Sequence, residues 1–443
     1  MPAERADDRT RVRGRLRTWG RALSVYRDRR FVYILLMGFS SGLPLLLTLS
    51  TLSYWLATVG IDKTAIGLFA LVGLPYSFKF LWAPVIDHVA LPFVTRRFGR
   101  RRGWALVIQA ALIGGILLMG LTDPARDPWT TALAAFVIAF FSASQDIVVD
   151  AYRIEILAEH EQGAGAAATQ TGYRFGLLLA GAGAVALSDF VGWPVIFAAL
   201  AACVLVGVAA VLLAPEPQVA ERVWHGAAGS PQDWLDNAVV APFRDFLTRP
   251  GWLVILAFVL LYKFGDAIGG VMANPFYVAL GFTGVEIASV TKIFGMVATL
   301  AGILAGGVLV ARYGIFTALL VGGILQAATN LLFALQAMVG NDVAVLALTI
   351  GADNFTGGLG SAAFVAYLSS LCSAAFTGTQ YALLTSLMAA GRTLLSSGGG
   401  WLADQTDWVT FFVLTTGLAA PGLLLLLWLM RLAPVGVAEK GGS

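Results

Sequence analysis

Charge is scarce in this chain. Asp, Glu, Lys and Arg make up 12% of its 443 residues, against about 25% in an ordinary soluble domain, while 58% are hydrophobic. A soluble globular fold is excluded. Histidine and cysteine are scarcer still: His88, His160 and His225 all fall outside the long apolar runs, and Cys203 and Cys372 are far apart. Neither metal-ligand spacing nor a disulfide framework follows from them. No His-Glu-x-x-His helix, Gly-x-Ser-x-Gly elbow or phosphate-binding loop occurs, which argues against the corresponding hydrolase and ATP-driven classes. No cofactor, no nucleic-acid partner and no catalytic activity is expected. Asp146 and Asp353 are the one aspartate pair that leaves an intramembrane aspartyl enzyme as an alternative.

What is abundant is apolar runs of about 20 residues, the length that crosses a bilayer as a helix. Twelve are expected: Phe31 to Ala57, Thr64 to Ile86, Trp104 to Leu121, Thr131 to Leu157, Gly165 to Leu187 and Pro194 to Leu213, then Gly251 to Leu280, Val285 to Ala311, Ile315 to Val339, Val343 to Leu371, Phe376 to Ala403 and Trp408 to Leu432. The fold expected is an all-α polytopic membrane protein with two six-helix bundles, 31–213 and 251–432. A basic segment, 1–30, precedes them, a linker, 214–250, joins them, and a tail, 433–443, follows. Ten arginines lie between Arg5 and Arg30. The run after them is too long for a signal peptide and lacks a cleavage site, so they read as holding the N-terminus in the cytoplasm. Arg96 to Arg102, Arg312 and Arg431 fall on that same side and only Lys63 and Arg126 on the other, which orients both termini inwards by the positive-inside rule. In the linker, Trp234, Leu235, Ala238, Val239, Phe243, Phe246 and Leu247 recur at roughly helical spacing, as in an interfacial helix.

The halves look related. Gly60 to Ile66 and Gly281 to Ile287, Ala151-Tyr152 and Ala366-Tyr367, and Thr169-Gln170 and Thr379-Gln380 recur in the same order at matching places, as in the repeated six-helix units of major facilitator transporters. Buried charge repeats too. The third, sixth, ninth and twelfth runs have no Asp, Glu, Lys or Arg in their interiors. The inner runs carry Lys79, Asp146, Asp150, Arg153, Glu155, Arg174, Lys263, Asp266, Lys292, Asp353 and Arg392. A charge at mid-bilayer costs roughly 2.5–3.5 kcal/mol on insertion scales and therefore faces protein or water. Every third helix is thus expected at the periphery, with the others around a cavity. Lys263 and Asp353 fall near mid-bilayer. Asp87, Arg100, Arg153, Glu155 and Arg312 fall towards the cytoplasm, where a gate would stand. Gly38 to Pro44 is expected to interrupt the first helix and expose its backbone to the cavity.

Several stretches resemble the anhydromuropeptide permeases, the AmpG-type branch of the major facilitator superfamily: Gly38-Phe-Ser-Ser-Gly-Leu-Pro44, Gly67-Leu-Phe-Ala-Leu-Val-Gly-Leu-Pro75, Lys79-Phe-Leu-Trp-Ala-Pro84, Ser144-Gln-Asp-Ile-Val-Val-Asp-Ala-Tyr-Arg153 and Tyr262-Lys-Phe-Gly-Asp266. The resemblance implies an inner-membrane importer of Gram-negative bacteria that carries GlcNAc-anhydro-MurNAc peptides from periplasm to cytoplasm, driven by protons, for peptidoglycan recycling; a monomer is expected. The related acetyl-CoA transporter branch keeps a similar scaffold, so another solute on that scaffold is the alternative. A muropeptide presents hydroxyls, amides and carboxylates. Lys79, Arg174, Lys263, Lys292 and Arg392 are the candidate cations for it, and Gln145, Tyr152, Asn274, Tyr277 and Asn354 the candidate sugar and amide contacts. Lys263 has Asp266, three residues on, as a competing partner. Proton coupling needs a carboxyl that can hold a proton in the operating range, and Asp146, Asp150, Asp266 and Asp353 are the candidates.

Overall fold

A computed structural model describes residues 28–61, 69–218, 236, 240–374, 376–396 and 398–432. The basic N-terminal segment before Asp28, most of the linker and the tail lie outside these residues. So does the Ile66 half of the first repeat match.

Nine helices among the described residues are long and apolar enough to cross a membrane. They are α1 (Arg29–Thr58), α3 (Arg100–Gly120), α4 (Pro128–Ile156), α6 (Trp193–Leu213), α7 (Trp252–Ala279), α8 (Ser289–Tyr313), α9 (Ile315–Val339), α10 (Val343–Ser370) and α12 (Trp408–Leu432). The other three expected positions hold broken helices. These are α2 (70–88), interrupted by two 3-10 turns, α5 (162–187), with a wide π turn at Leu179–Gly183, and α11 (377–405), in two pieces. Short caps set the starts at one end of the bundle. Asp127, Asp342 and Asp407 each accept backbone N–H bonds from the first turns of α4, α10 and α12, satisfying donors that a helix start leaves free.

The related halves are visible in the backbone. Gly60 and Gly281, which end α1 and follow α7, take φ of +82° and +81°, and Gly99 and Gly314, which precede α3 and α9, take +88° and +81°. Two pairs of positive-φ glycines at equivalent joints are what a duplicated unit requires of its turns. Each half has its own apolar core, one around Ile34, Leu112, Ile138 and Phe197, the other around Phe258, Phe364, Phe333 and Phe412. Outside, Leu133, Leu205, Leu348 and Leu424 are exposed, as lipid-facing side chains are.

The Gly38 to Pro44 stretch does not open α1 to a cavity. The helix runs through Pro44, and the next turn widens to a π turn at Leu47–Thr51, where Thr48 Oγ1 donates to the Pro44 carbonyl at 3.0 Å. The glycines instead admit α5. A Cβ on Gly38 would lie 2.4 Å from the Thr169 carbonyl oxygen, one on Gly42 2.2 Å from that of Tyr173, and one on Gly172 1.9 Å from that of Leu35. Backbones this close need glycine on both helices, the small-residue packing of membrane bundles. In the linker, a helix at Ala241–Leu247 docks on the second half: Gln380 Nε2 donates to the Pro242 carbonyl at 3.1 Å and to Asp245 at 2.7 Å.

Candidate functional site

A cavity of about 770 Å³ opens between the halves. Its lining comes from α5, α7, α8, α10 and α11, with Gln326 added from α9. Three cations reach it, Arg174, Lys263 and Arg392, with two carboxylates, Asp266 and Asp353, and the amides of Gln170 and Asn354. The elements explain the reach. α7 breaks at Lys263, whose φ of −110° and ψ of 24° leave the helical region, so the chain restarts with its lysine at the break. Lys263 Nζ donates to Ser361 Oγ at 2.9 Å and, at 3.4 Å, to the Gly357 carbonyl. It takes these partners from α10 rather than a hydrogen bond to Asp266, the competing partner. Asp353 Oδ1 accepts from Gln326 Nε2 at 2.9 Å and Thr329 Oγ1 at 3.2 Å. Asn354 Oδ1 accepts from Thr299 Oγ1 at 2.9 Å.

A second charged group lies within the first half. Lys79 Nζ stands 3.9 Å from Asp146, which also accepts from Ser41. One turn on, Asp150 lies 3.5 Å from Arg153. Asp146 and Asp353 thus have separate partners and do not form a shared carboxylate pair. Gln145 and Tyr152, expected to bind substrate, are placed elsewhere. Gln145 is fully buried and donates to Ser40 Oγ at 3.1 Å, and the Tyr152 hydroxyl donates to the Pro215 carbonyl at 2.9 Å. Tyr277 packs on Phe276 in the second-half core and is absent from the described lining. The side chains of Asn274 and Lys292 lie outside what the structure describes.

The end bearing the Arg96–Arg102 stretch is closed by a network across the halves. The Asp87 carboxylate meets Arg101 at 2.8 Å and accepts from the Thr379 N–H at 2.6 Å and Oγ1 at 2.7 Å. Arg101 also donates to Glu155 through Nε at 2.9 Å. Arg100 donates instead to the Asp87 main-chain carbonyl at 2.6 Å. Arg153 is completely buried. It donates to Ser369 Oγ of the second half at 3.0 Å, and its guanidinium sits 5.5 Å from the Tyr381 ring. Below the cavity, Ala167, Ile303 and Ala362 make a small apolar seal between the halves. Arg312 lies over Tyr313 at 5.1 Å.

Arg101, Gln170, Gln326 and Ser361 are among the residues of this geometry that escaped the sequence reading, as are Thr379 and Ser369. Arg101 rather than Arg100 carries the ion pairs, a distinction that helix phase alone decides. Gln170 lay in a repeat match, and that match was its signal. Gln326 and Ser361 carry no charge and sit in glycine-rich apolar runs, so a search for ionisable groups passes over them.

Two helical halves, a charged cavity between them and a closed end define a secondary transporter. A family model described as Major Facilitator Superfamily matches residues 31–394. The chain is 42% identical over 408 residues to the anhydromuropeptide permease of Escherichia coli (strain K12), covering 91% of this chain and 80% of that protein. It is 34% identical over 410 residues to the putative transporter AmpG 4 of Rickettsia felis, with 92% and 98% covered. Its fold is shared by the E. coli fucose:proton symporter FucP, at a TM-score of 0.66 and 13% identity, covering 90% and 98%. FucP in an outward conformation gives 0.65, also at 13% identity and with the same coverage. The chain belongs to the anhydromuropeptide permease family of the major facilitator superfamily.

Proposed function

We propose that the protein imports GlcNAc-anhydro-MurNAc peptides across a bacterial inner membrane, from periplasm to cytoplasm, in symport with protons. It acts as a monomer in the bilayer with both termini cytoplasmic, so the arginine-rich closed end faces the cytoplasm. The observation that carries this reading is the cavity itself. Three cations, two carboxylates and several amides converge between the halves of a chain 42% identical to a permease so named. Cations answer peptide carboxylates, and the amides of Gln170, Asn354 and Gln326 answer sugar hydroxyls and peptide groups. Release to the cytoplasm requires Asp87 to part from Thr379 and Arg153 from Ser369.

One proton crossing 100 mV supplies roughly 2.3 kcal/mol, about a fifty-fold concentration ratio at one proton per substrate. The proton is carried by one of the carboxylates that share a cation or line the cavity, Asp146, Asp150, Asp266 or Asp353. Asp146 and Asp150 trade Lys79 and Arg153 on protonation. The test is uptake of labelled anhydromuropeptide into proteoliposomes with and without an inward proton gradient. Gradient-dependent accumulation is expected, and loss of that dependence in Asp146→Asn or Asp150→Asn. Wild-type uptake indifferent to the gradient removes proton coupling, and accumulation of acetyl-CoA instead overturns the substrate.

A further inference from the structure

Between Asp87 and Asp123 the chain carries five arginines, Arg96, Arg97, Arg100, Arg101 and Arg102, and no carboxylate. Three of them turn into the protein. Arg101 pairs with Asp87 and Glu155, Arg100 donates to the Asp87 main-chain carbonyl at 2.6 Å, and Arg102 donates to the carbonyls of Val211 and Leu212 at 2.8 and 2.7 Å. Glu216 accepts from the main-chain N–H groups of Arg101 and Arg102 at 2.8 and 3.1 Å. Arg96 and Arg97 are instead exposed, on a short helix at Val94–Phe98. The turn before that helix is unusual. Phe93 takes φ of +64° and ψ of −43°, alone among the described non-glycine residues in having a positive φ, and the Val94 N–H donates to the Pro92 carbonyl at 2.7 Å. This is a γ-turn of the rarer, strained hand, which a bulky side chain ordinarily avoids. Strain of this kind persists where the surroundings impose it, and two bonds brace it: the Thr95 N–H donates to the Leu91 carbonyl at 3.0 Å and the Leu91 N–H to Thr95 Oγ1 at 2.9 Å. The turn leaves Phe93 89% exposed, more than any other large hydrophobic side chain among the described residues. Its depth follows from its packing. A Cβ on Gly103 would lie 3.3 Å from a Val94 methyl, so the turn rides on the start of α3, whose outer face carries the exposed Val107 and Leu118. The start of a spanning helix lies at headgroup level, and Trp104, whose Nε1 donates to the Val89 carbonyl at 2.8 Å, is the residue type that marks that level.

We propose that the Leu91–Phe98 turn docks on anionic phospholipid of the leaflet it faces: Phe93 enters the boundary between headgroups and acyl chains, and Arg96 and Arg97 hold headgroup phosphates. An aromatic ring flanked by arginines is the composition that settles at this boundary, apolar on one side and charged on the other. The Arg97 guanidinium lies 5.7 Å from the Phe98 ring, which keeps the charge beside the apolar surface rather than out in water. Guanidiniums fork onto phosphate oxygens. A zwitterionic headgroup sets its own ammonium beside its phosphate, so two arginines with no carboxylate between them favour headgroups of net negative charge. Each arginine near an anionic surface favours binding about fivefold, or about thirtyfold for the pair. The docking does not depend on what the central cavity carries.

The test reads where a spin label attached at Phe93→Cys lies, with Cys203→Ser and Cys372→Ser removing the native thiols. The full chain is reconstituted in vesicles of phosphatidylcholine alone and of phosphatidylcholine with phosphatidylglycerol. Collisions with dissolved oxygen report a label in the acyl region, and collisions with a water-soluble nickel chelate report one in water. The ratio of inserted to exposed label is expected to be about thirtyfold higher in the anionic vesicles, and to fall about fivefold in each of Arg96→Gln and Arg97→Gln. Raised salt should lower it as well. A label in water in both kinds of vesicle overturns the proposal and leaves the turn to a soluble partner. A label equally inserted in both overturns the recognition of anionic headgroups. These two outcomes come from the labelled parent protein and stand whether or not the arginine variants fold. Ratios unchanged in folded Arg96→Gln and Arg97→Gln would remove both side chains as phosphate contacts and overturn the proposal too.

Discussion

Arg101 shows how much a single side chain decides. It is almost fully buried, with Asp87 on one side and Glu155 on the other. Two carboxylates buried with it are tolerable only while it stays. Arg101→Ala is expected to cost about 3–5 kcal/mol, the usual penalty of stranding a buried charge. Arg101→Lys should recover little, because an ammonium cannot fork onto both partners. Thermal unfolding in detergent, followed by tryptophan fluorescence, measures both, and a stable Arg101→Lys would contradict the forked geometry. At the membrane edge the terms are smaller. Asp28 caps α1 by accepting from Arg30 N and Nε, both at 2.8 Å. The bond from the Arg30 side chain holds its carboxyl below the ordinary value of 3.8, and burial only partly offsets it. A lowered carboxyl contributes fully above its unfolded value and loses that contribution as the pH falls through the lowered one. Asp28→Ala should therefore weaken the protein above pH ~4 and make less difference in stronger acid, seen as converging unfolding curves of the two proteins.

Helices pair here by what their sequences leave out. The contact of α1 with α5 depends on glycines whose missing Cβ atoms would strike backbone, and backbone cannot swing aside as a side chain can. Gly172→Ala places a carbon 1.9 Å from the Leu35 carbonyl oxygen, so it should force α1 and α5 apart and cost towards or beyond the upper end of the ~1–3 kcal/mol usual for overpacking. Gly114→Ala in α3 is the control: its Cβ meets nothing within 4 Å, and stability should hold or rise by up to about 1 kcal/mol, the helix-propensity gain of alanine over glycine. Melting temperatures of the two variants, side by side, decide it. The helices themselves were legible because an apolar run of bilayer length has only one satisfied backbone solution. The glycine stretch of α1 was located correctly and misread. A glycine that breaks a helix and one that admits a neighbour are identical in a sequence, and only the partner's approach distinguishes them. The cavity cations Arg174, Lys263 and Arg392 were legible because charge in an apolar run must point at something polar. Gln145 was misplaced by the same logic, since a polar side chain on an inner helix can be satisfied by Ser40 of the next helix as well as by a cavity.

At the scale of the molecule, the closed end is a balance that one acceptor atom can tip. Asp87 serves three donors: one oxygen faces Arg101, and the other takes both the N–H and the hydroxyl of Thr379 in the opposite half. An amide in its place has one acceptor oxygen and a donor that must face either a guanidinium or an N–H, so Asp87→Asn cannot keep both halves of the contact. A reporter already sits nearby. Cys372 lines a separate cavity of about 510 Å³ at this end, beside Glu155, Gln162, Ser369 and Thr377. Its thiol, whose bond among the described residues is to the Leu368 carbonyl at 3.3 Å, is free to react when the end opens. With Cys203→Ser removing the other thiol, Asp87→Asn is expected to raise the maleimide labelling rate of Cys372 about tenfold if the latch contributes about 1.4 kcal/mol to closure. Thr379→Ala, which removes the hydroxyl and leaves the N–H, should raise it less. Equal rates in all three proteins would mean that the Ala167–Ile303–Ala362 seal and the Arg153–Ser369 contact hold the end shut without Asp87. Opening during transport would then have to be driven from the cavity rather than from the latch.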